Sequence, residues 1–285
     1  MTRAGTLRRK DRHGAVPLPE LPLRIASALV LASVAIAATF LSPWTFLALV
    51  ILASAAIAWE WGRLVRDAGF DPAALAQMIS VAAAAILVAL GRLHPALLVF
   101  VIAVGIVAAL GRPTSRAVWS AIGVVYVALP VASLLWLRWD ADLGATAILF
   151  VLGVAWTTDT VSYAAGRLLG GPKLAPGVSP KKTWSGFIIG TLAPALIGYA
   201  FAAAIGDTSP WALGAVAVLL ALACQLGDLF ESAVKRQFGT KDMSQLIPGH
   251  GGLLDRLDGF LFAAVVAAAI ALRDPGQPAA GLLIW

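Results

Sequence analysis

The run PALLVFVIAVGIVAALG, residues 95–111, contains no charged side chain. A helix needs about 17–25 consecutive apolar residues to cross the hydrocarbon core of a bilayer, so this run is long enough for one crossing. Its apolar residues are continuous and do not alternate with period two, which favours a transmembrane helix over a strand of a β-barrel. The run therefore predicts a fold built from membrane-spanning helices.

Similar runs occupy most of the chain. Of its 285 residues, 60% are hydrophobic and 13% are charged, and the mean hydropathy is +0.88. These values are far from those of soluble globular domains. The sequence predicts an all-α, polytopic integral membrane protein with about nine transmembrane helices. We place them near residues 24–42, 44–62, 74–91, 95–111, 117–137, 145–165, 185–205, 211–230 and 257–272.

The chain divides into four regions. Residues 1–23 form a basic tail, residues 24–143 an amino-terminal group of transmembrane helices, residues 144–273 a transmembrane region with most of the polar motifs, and residues 274–285 a short carboxyl-terminal tail. The first apolar run is long enough to span and lacks a clear small-residue cleavage site. This favours a retained helix over a signal peptide.

Basic residues predict the orientation, because Lys and Arg near helix ends are retained on the cytoplasmic side. With the amino terminus inside, only Arg92, Arg138 and Arg273 of the 21 Lys and Arg residues fall outside. An even number of crossings would break this alternation. We therefore expect a cytoplasmic amino terminus and a carboxyl terminus outside.

The net charge of +6 is distributed between apolar segments rather than along one amphipathic face. This distribution favours anionic lipid and anionic small molecules as partners, and no nucleic acid is expected. The single cysteine, Cys224, lies in an apolar segment. A disulfide framework and a CxxC metal site are therefore excluded.

The first polar motif lies at the end of the sixth predicted helix. Asp159, Ser162, Tyr163 and Gly166 follow the i, i+3, i+4, i+7 spacing of one helical face. An ionisable residue at membrane depth costs about 2.5–3.5 kcal/mol on insertion scales, so Asp159 should face the bundle interior or a water-filled cavity. The alternative is an aspartate that only snorkels or pairs within the packing.

The second motif is the loop GPKLAPGVSPKKTWSG, residues 171–186. Its three lysines, together with Ser179 and Thr183, lie beside glycine and proline. Ammonium groups, hydroxyls and backbone amides in such a loop can bind phosphate. The alternative is a cytoplasmic loop that carries lysines only because of its position.

The third motif begins in QLGDLFESAVKR, residues 225–236, where Asp228, Glu231, Ser232 and Lys235 again share a helical face. The chain continues through a Pro- and Gly-rich segment, residues 248–252, which can bring backbone amides close to phosphate. Two further acids, spaced i, i+3, then open the last helix. A merely solvated charged loop would have no need to repeat this spacing of acids on two flanking helices.

Hard carboxylate oxygens without His or Cys clusters favour Mg²⁺, which keeps waters and is usually completed by substrate phosphates. Basic side chains beside them neutralise phosphate oxygens. Phosphoryl and nucleotidyl transfer depend mostly on such positioning and charge stabilisation. The three motifs therefore predict an enzyme of this class.

At these residues the sequence resembles the phosphatidate cytidylyltransferase (CDP-diacylglycerol synthase) family. The similarity is carried by SAVKRQFGTKDMSQLIPGHGGLLDRLD, residues 232–258, and upstream by Asp159, Tyr163, Gly166 and the SPKKT of residues 179–183. The family usually has a glutamate where this chain has Ser185. Residues 1–150 resemble the family only as a stack of hydrophobic helices.

The resemblance implies a bacterial inner-membrane enzyme that condenses phosphatidic acid with CTP to give CDP-diacylglycerol and pyrophosphate. It also implies Mg²⁺, with K⁺ as a second cation, a homodimer, and an active site on the cytoplasmic side. Region 144–273 would then be catalytic.

The resemblance also assigns residue roles. Asp228 and Asp255 would be the metal-binding carboxylates, with Glu231 and Asp258 close by. His250 would donate a proton or, as we favour, orient its loop. Charge on the attacking and leaving groups would be offset by Lys235, Arg236, Lys241 and Arg256. The remaining predicted substrate-binding residues are Asp159, Tyr163, Ser179, Lys181, Lys182, Thr183, Asp242, Gly251 and Gly252.

Other functions are compatible with parts of the pattern. A transporter would use intramembrane acids as an ion path, but would place them near the midplane of broken helices rather than at one interface. A CTP-dependent polyprenol kinase or a cytidylyltransferase for another lipid phosphate would share the same chemistry. A purely structural membrane protein is the remaining alternative.

Overall fold

The computed structural model of the protein describes residues 20–111, 114–247 and 251–285. The chain is mostly helical, with one short hairpin and a 3-10 turn at Thr114–Arg116. The elements are α1 (Glu20–Leu41), α2 (Pro43–Arg66), α3 (Pro72–Ala89), α4 (Leu93–Leu110), α5 (Ala117–Arg138), α6 (Gly144–Leu168), β1 (Lys173–Ala175), β2 (Ser179–Thr183), α7 (Trp184–Leu192), α8 (Ala195–Ile205), α9 (Pro210–Gln237), α10 (Leu254–Ala271) and α11 (Pro278–Leu283).

Each predicted apolar run coincides with helix. The seventh run is divided into α7 and α8 at Ala193 and Pro194, because proline has no N–H to continue the hydrogen-bond ladder. Within the described residues, seven segments are long and apolar enough to cross a membrane. They are α2, α3, α4, α5, α6, the pair α7–α8, and α9.

The other two predicted crossings are less clear-cut. The apolar part of α1 is shorter, Ala26–Leu41, and α10 carries three charged residues in its first five. The architecture is that of a polytopic membrane protein. A count of nine crossings stays a prediction.

The predicted loop between α6 and α7 contains a short hairpin that the sequence did not indicate. There β1 and β2 form an antiparallel hairpin in which Lys173 is opposite Thr183. The chain leaves α6 through Gly170 and Gly171, whose φ angles of +62° and +104° are open to glycine at little cost. The sequence favoured a flexible loop here because strands this short carry little periodic signal.

The ends of several helices gather at one end of the bundle, called here the loop end. Trp61 near the end of α2 donates its indole N–H to the Trp119 carbonyl at the start of α5, at 2.9 Å. The Trp119 ring in turn contacts Phe238, just after α9, with ring centres 5.6 Å apart. At the opposite end, Thr208 donates to the Leu283 carbonyl at 2.7 Å. The loop end therefore contains the α2–α3, α4–α5, α6–α7 and α9–α10 connections.

The core lies among the helices that support the loop end. Trp61, Phe150, Leu135 and Leu220 are fully buried on α2, α6, α5 and α9. The carboxyl-terminal segment also packs, since Leu282 of α11 is fully buried. A close-packed core of this kind holds the ends of the helices in fixed relative positions.

A buried ion pair fixes the turn between α2 and α3. The Arg66 side chain, 1% exposed, donates to both carboxylate oxygens of Asp71 at 2.6 and 3.0 Å and to Ser120 at 3.2 Å. Asp71 also caps α3 through the Ala74 N–H. Burial opposes ionisation of Asp71, but the Arg66 guanidinium and the Ala74 N–H outweigh it and lower the pKa of this carboxyl.

Replacing Asp71 by Asn is expected to lower the free energy of unfolding, because it leaves the Arg66 guanidinium buried without a counter-charge. Removing one partner of a buried pair costs about 3–5 kcal/mol, and the partial exposure of Asp71 favours the lower end. Since the folded-state pKa is lowered, this stabilisation is present above the unfolded-state pKa of about 3.9 and is lost as pH falls through the folded-state value.

Thermal unfolding in detergent at neutral and acidic pH measures the effect. The difference in melting temperature between parent and variant should narrow at acidic pH. Asp67→Asn is the matched control, since Asp67 is exposed and adopts φ +61°, which asparagine tolerates. Equal melting temperatures for the two variants at neutral pH would contradict the assignment.

Candidate functional site

Four carboxylates from two neighbouring helices meet at the loop end. Asp228 and Glu231 lie in the last turns of α9, and Asp255 and Asp258 lie in the first turns of α10. The two helices pack directly on each other. The structure thus brings together the acids that the sequence predicted on two flanking helices, and we refer to these four residues as the acidic cluster.

Two glycines allow α9 and α10 to approach closely. A Cβ on Gly227 would lie 2.6 Å from the Asp258 carbonyl oxygen, and one on Gly259 would lie 2.9 Å from the Cys224 carbonyl oxygen. Neither backbone oxygen could move away without distorting its helix. Any larger residue at these positions would push the two halves of the acidic cluster apart.

Lys235 joins the two halves. Its Nζ lies 2.5 Å from Glu231 Oε2 on the same helix and 2.8 Å from Asp255 Oδ1 across the helix pair. The Lys235 side chain is only 13% exposed. An ammonium held between two carboxylates fixes their separation and offsets part of their charge.

The β-hairpin supplies a second cation to the acidic cluster. Lys182 in β2 places its Nζ 2.5 Å from Asp228 Oδ2. The hairpin is also tied to the loop after α9, because Arg236 donates to the Val178 carbonyl at 3.3 Å and to the Thr240 carbonyl at 3.1 Å. The second and third sequence motifs therefore form one site.

The arrangement of the acids suits a hard cation. The side chains of Asp228 and Asp258 lie within hydrogen-bonding distance of each other, and Glu231 Oε1 is buried without a partner among the described residues. In the part of the chain that the structure describes, no group of three or more His, Cys, Asp or Glu side chains forms a ready metal site. Mg²⁺ needs only one or two carboxylates when substrate phosphates complete its shell. The residues present fit that mode.

The first sequence motif lies beside this site. Asp159 on α6 is exposed and within electrostatic reach of Asp228 and Lys182. Tyr163 is also exposed, and its hydroxyl accepts a hydrogen bond from Arg167 at 2.9 Å. Ser162 instead packs against α7, close to Gly190. Asp159 is thus placed with the acidic cluster, whereas Tyr163 lies at the surface.

The predicted phosphate-binding residues of the hairpin separate into two groups. Ser179 is half-buried, and Lys181 is exposed. Thr183 is 5% exposed and caps α7 by accepting the Gly186 N–H at 3.2 Å. Ser185, where the family usually has glutamate, donates to the Gly170 carbonyl and ties α7 to the end of α6. Thr183 and Ser185 are therefore engaged in holding the hairpin and α7 in place.

The loop between α9 and α10 carries further predicted residues. Lys241 and Asp242 are exposed, and Arg256 is exposed at the start of α10. His250, predicted to donate a proton or orient the loop, lies outside the described residues. The exposed basic groups of this loop are near the hairpin, to which Arg236 connects them.

Gly251 and Gly252 lie close to Asp255 of the acidic cluster. Gly251 has φ +92°, which favours glycine, and exchanges backbone hydrogen bonds with Ile247 at 2.8 and 3.1 Å. Asp255 Oδ2 accepts the N–H groups of Met243 at 3.1 Å and Gly252 at 2.9 Å. Asp255 therefore holds both ends of this loop, in addition to its ion pair with Lys235.

Sequence reasoning missed Glu60 on α2, whose side chain is fully buried. Its Oε1 accepts the Ser244 hydroxyl at 2.5 Å and the Leu253 N–H at 2.9 Å, and its Oε2 accepts the Leu254 N–H at 2.7 Å. A carboxylate that accepts N–H groups at a helix start stabilises that start. The available signal was a single acid inside an apolar run, AIAWEWG, residues 56–62.

Comparison with known proteins identifies the family of this chain. Residues 22–272 match the cytidylyltransferase family. The chain is 48% identical over 148 residues to a protein from Brucella abortus named phosphatidate cytidylyltransferase, covering 52% of this chain and 55% of that protein. A protein of the same name from Staphylococcus saprophyticus is 43% identical over 116 residues, covering 40% of this chain and 45% of that protein.

The aligned part spans about half the length of these curated relatives. The family match is broader, since it includes both the amino-terminal helices and the acidic cluster. The resemblance predicted from residues 232–258 is confirmed at the level of the family. The chain belongs to the cytidylyltransferase family.

Proposed function

We propose that this protein condenses phosphatidic acid with CTP to give CDP-diacylglycerol and pyrophosphate. The observation that carries the proposal is the acidic cluster held between Lys182 and Lys235 in a chain of the cytidylyltransferase family. Relatives at 43–48% identity named phosphatidate cytidylyltransferase support the choice of lipid. A site with carboxylates for a cation and lysines for phosphate oxygens suits nucleotidyl transfer.

Mg²⁺ would be held by Asp228 and Asp258, with the unpartnered oxygen of Glu231 beside them. When bound, such an ion offsets the negative charge of the triphosphate. Asp255, also predicted as a ligand, already accepts Lys235, Met243 N–H and Gly252 N–H. We therefore assign Asp255 chiefly to holding the loop, and we keep K⁺ as a proposed second cation.

The basic residues have distinct roles in this proposal. Lys182 and Lys235 are fixed by carboxylates, so their charges are already in position before substrate binds. This preorganisation lowers the cost of stabilising charge during the reaction. Lys181 and Lys241 are exposed nearby and would contact the phosphates of CTP. Arg236 would hold the hairpin over the site, through its bonds to residues 178 and 240.

The bond changes need no dedicated base. An anionic oxygen of the phosphatidate monoester forms a bond to the α-phosphorus of CTP. The bond from that phosphorus to the oxygen bridging the β-phosphate breaks, and pyrophosphate leaves with the electron pair. The residues of the chain align the two anions and offset their repulsion, which accounts for most of the catalysis in such reactions.

We place the active site on the cytoplasmic side of a bacterial inner membrane, where CTP is available. The basic residues support this, because Arg66, Arg116, Arg167 and Lys235 lie at helix ends of the loop end. We also propose nine crossings, with the amino terminus inside and the carboxyl terminus outside. A homodimer is the proposed assembly.

The direct test is an assay of the purified protein in detergent with CTP, Mg²⁺ and phosphatidic acid. CDP-diacylglycerol and pyrophosphate should appear in equal amounts and should depend on both substrates. Phosphorylated lipid with CDP as coproduct would instead indicate a kinase. CTP binding without reaction on phosphatidic acid would indicate another lipid phosphate, and absence of nucleotide binding would exclude the proposed enzyme.

A further inference from the structure

An apolar cavity of about 500 Å³ opens between α4, α5, α9 and α10. This volume falls within the range of about 300–1,000 Å³ that is typical of small-molecule sites. Among the described side chains that line it, the hydroxyl of Tyr126 is the only polar group. The main lining residues are Val104, Val118, Ile122, Val125, Phe230 and Phe262.

The cavity runs from the outer surface of the bundle towards the acidic cluster. At its mouth, Val118 is 66% exposed and Val125 is 40% exposed, whereas Tyr126 is 7% exposed. Its inner wall includes Phe230, which lies between Asp228 and Glu231 on α9, and Phe262, which lies one turn beyond Asp258 on α10. The cavity therefore opens on a surface that would face lipid, and its buried residue Tyr126 lies within electrostatic reach of Asp228, Glu231 and Asp258.

Tyr126 marks the inner end of the cavity. Its ring is held by Trp61, Phe230 and Phe262, with ring centres 5.2, 5.4 and 6.1 Å away. Its hydroxyl is buried and has no hydrogen-bond partner among the described residues. A buried polar group without a partner is unfavourable, so a ligand that supplies an acceptor would remove this cost.

We propose that this cavity binds one acyl chain of the lipid substrate, with the Tyr126 hydroxyl donating to the ester carbonyl at the glycerol end. The inference rests on the proposed function. A diacylglyceryl phosphate has the matching order of groups: an apolar chain, then an ester acceptor, then a phosphate. CTP, a charged nucleotide, does not fit an apolar lining.

Filling the cavity should impair long-chain substrates selectively. Val125→Trp is expected to raise KM for dioleoyl phosphatidate at least tenfold while changing KM for water-soluble dihexanoyl phosphatidate by less than twofold. The reason is that burial of each additional CH₂ is favourable, and only the long chain extends along the cavity. Leu97→Trp is the matched control, because Leu97 is 60% exposed on α4 but does not line the cavity.

A second variant tests the hydroxyl. If Tyr126 donates to an ester carbonyl, the parent enzyme should prefer ester-linked phosphatidate over its dialkyl ether analogue, and Tyr126→Phe should abolish most of that preference. Size-exclusion profiles and melting temperatures of all variants should match the parent. A general packing defect would lower activity on both lipids equally.

Three outcomes would overturn the proposal: equal effects of Val125→Trp on long and short chains, no effect on either, or an altered oligomeric state, which would place a second copy over the cavity. A parent enzyme that forms no CDP-lipid from either phosphatidate would refute the proposed function instead. The two failures are therefore distinguishable.

Discussion

Replacing Asp228 by Asn should reduce kcat for CDP-lipid formation at least about 10³-fold. Asp228 is the carboxylate that links the two sequence motifs, since it contacts Lys182 of the hairpin at 2.5 Å and lies beside Asp258 of α10. Asparagine keeps the shape but removes the charge. It therefore removes a proposed Mg²⁺ ligand and also the charge that positions Lys182. Because loss of a single preorganised group lowers kcat about 10²–10³-fold, loss of both effects should lie at or above the upper end of that range.

The assay should be run across a range of Mg²⁺ concentrations with the long- and short-chain substrates. Asp207→Asn is the matched control, because Asp207 is exposed in the connection between α8 and α9, at the end of the bundle away from the acidic cluster. Unchanged melting temperature with lost activity would support the assignment. Near-parental kcat for Asp228→Asn would remove this residue from the reaction and with it the proposed metal site.

The fold could be predicted from the sequence to a large extent, because apolar runs long enough to span a bilayer leave few alternatives. The run 95–111 and its counterparts all became helices. The hairpin at residues 173–183 was missed because its strands are three and five residues long, too short for a period-two pattern to be recognised. Its effect on the site is large, since it delivers Lys182 to Asp228.

The acidic cluster was also predictable, because the i, i+3 spacing places acids on one face of a helix whatever the neighbours are. Contacts between distant segments could not be predicted in this way. The sequence predicts Thr183 as a phosphate-binding residue, and in the structure its hydroxyl caps α7. Glu60 is 184 positions away from Ser244 in the chain, and no spacing rule connects them.

Replacing Glu60 by Gln should have the second-largest effect, with kcat reduced about 10²-fold. Glu60 accepts three hydrogen bonds from residues 244, 253 and 254. A glutamine has one acceptor oxygen and one NH₂ group, and the NH₂ would face a backbone N–H. The start of α10 would shift, and a displacement of about 1 Å at a catalytic geometry costs about 10²-fold.

This residue acts by positioning, because it does not face the substrate but holds the segment that carries Asp255 and Asp258. Ser244→Ala removes only one of the three bonds and should reduce kcat much less. Glu60→Asp keeps two acceptor oxygens and should recover part of the loss. The Mg²⁺ concentration that gives half-maximal activity distinguishes a positioning role from simple destabilisation. This concentration should rise in Glu60→Gln, because Asp258 would move away from Asp228.

A variant that only loosens the fold would instead lose active protein without changing that concentration. Glu60→Gln should also lower the melting temperature, because a buried N–H without an acceptor costs about 1–3 kcal/mol. If Glu60→Gln melts earlier but the correctly folded fraction keeps the parental kcat and Mg²⁺ dependence, Glu60 serves stability alone. The alternative result is that kcat and the Mg²⁺ dependence change together, most in Glu60→Gln and less in Ser244→Ala and Glu60→Asp. In that case the amino-terminal helices take part in building the site.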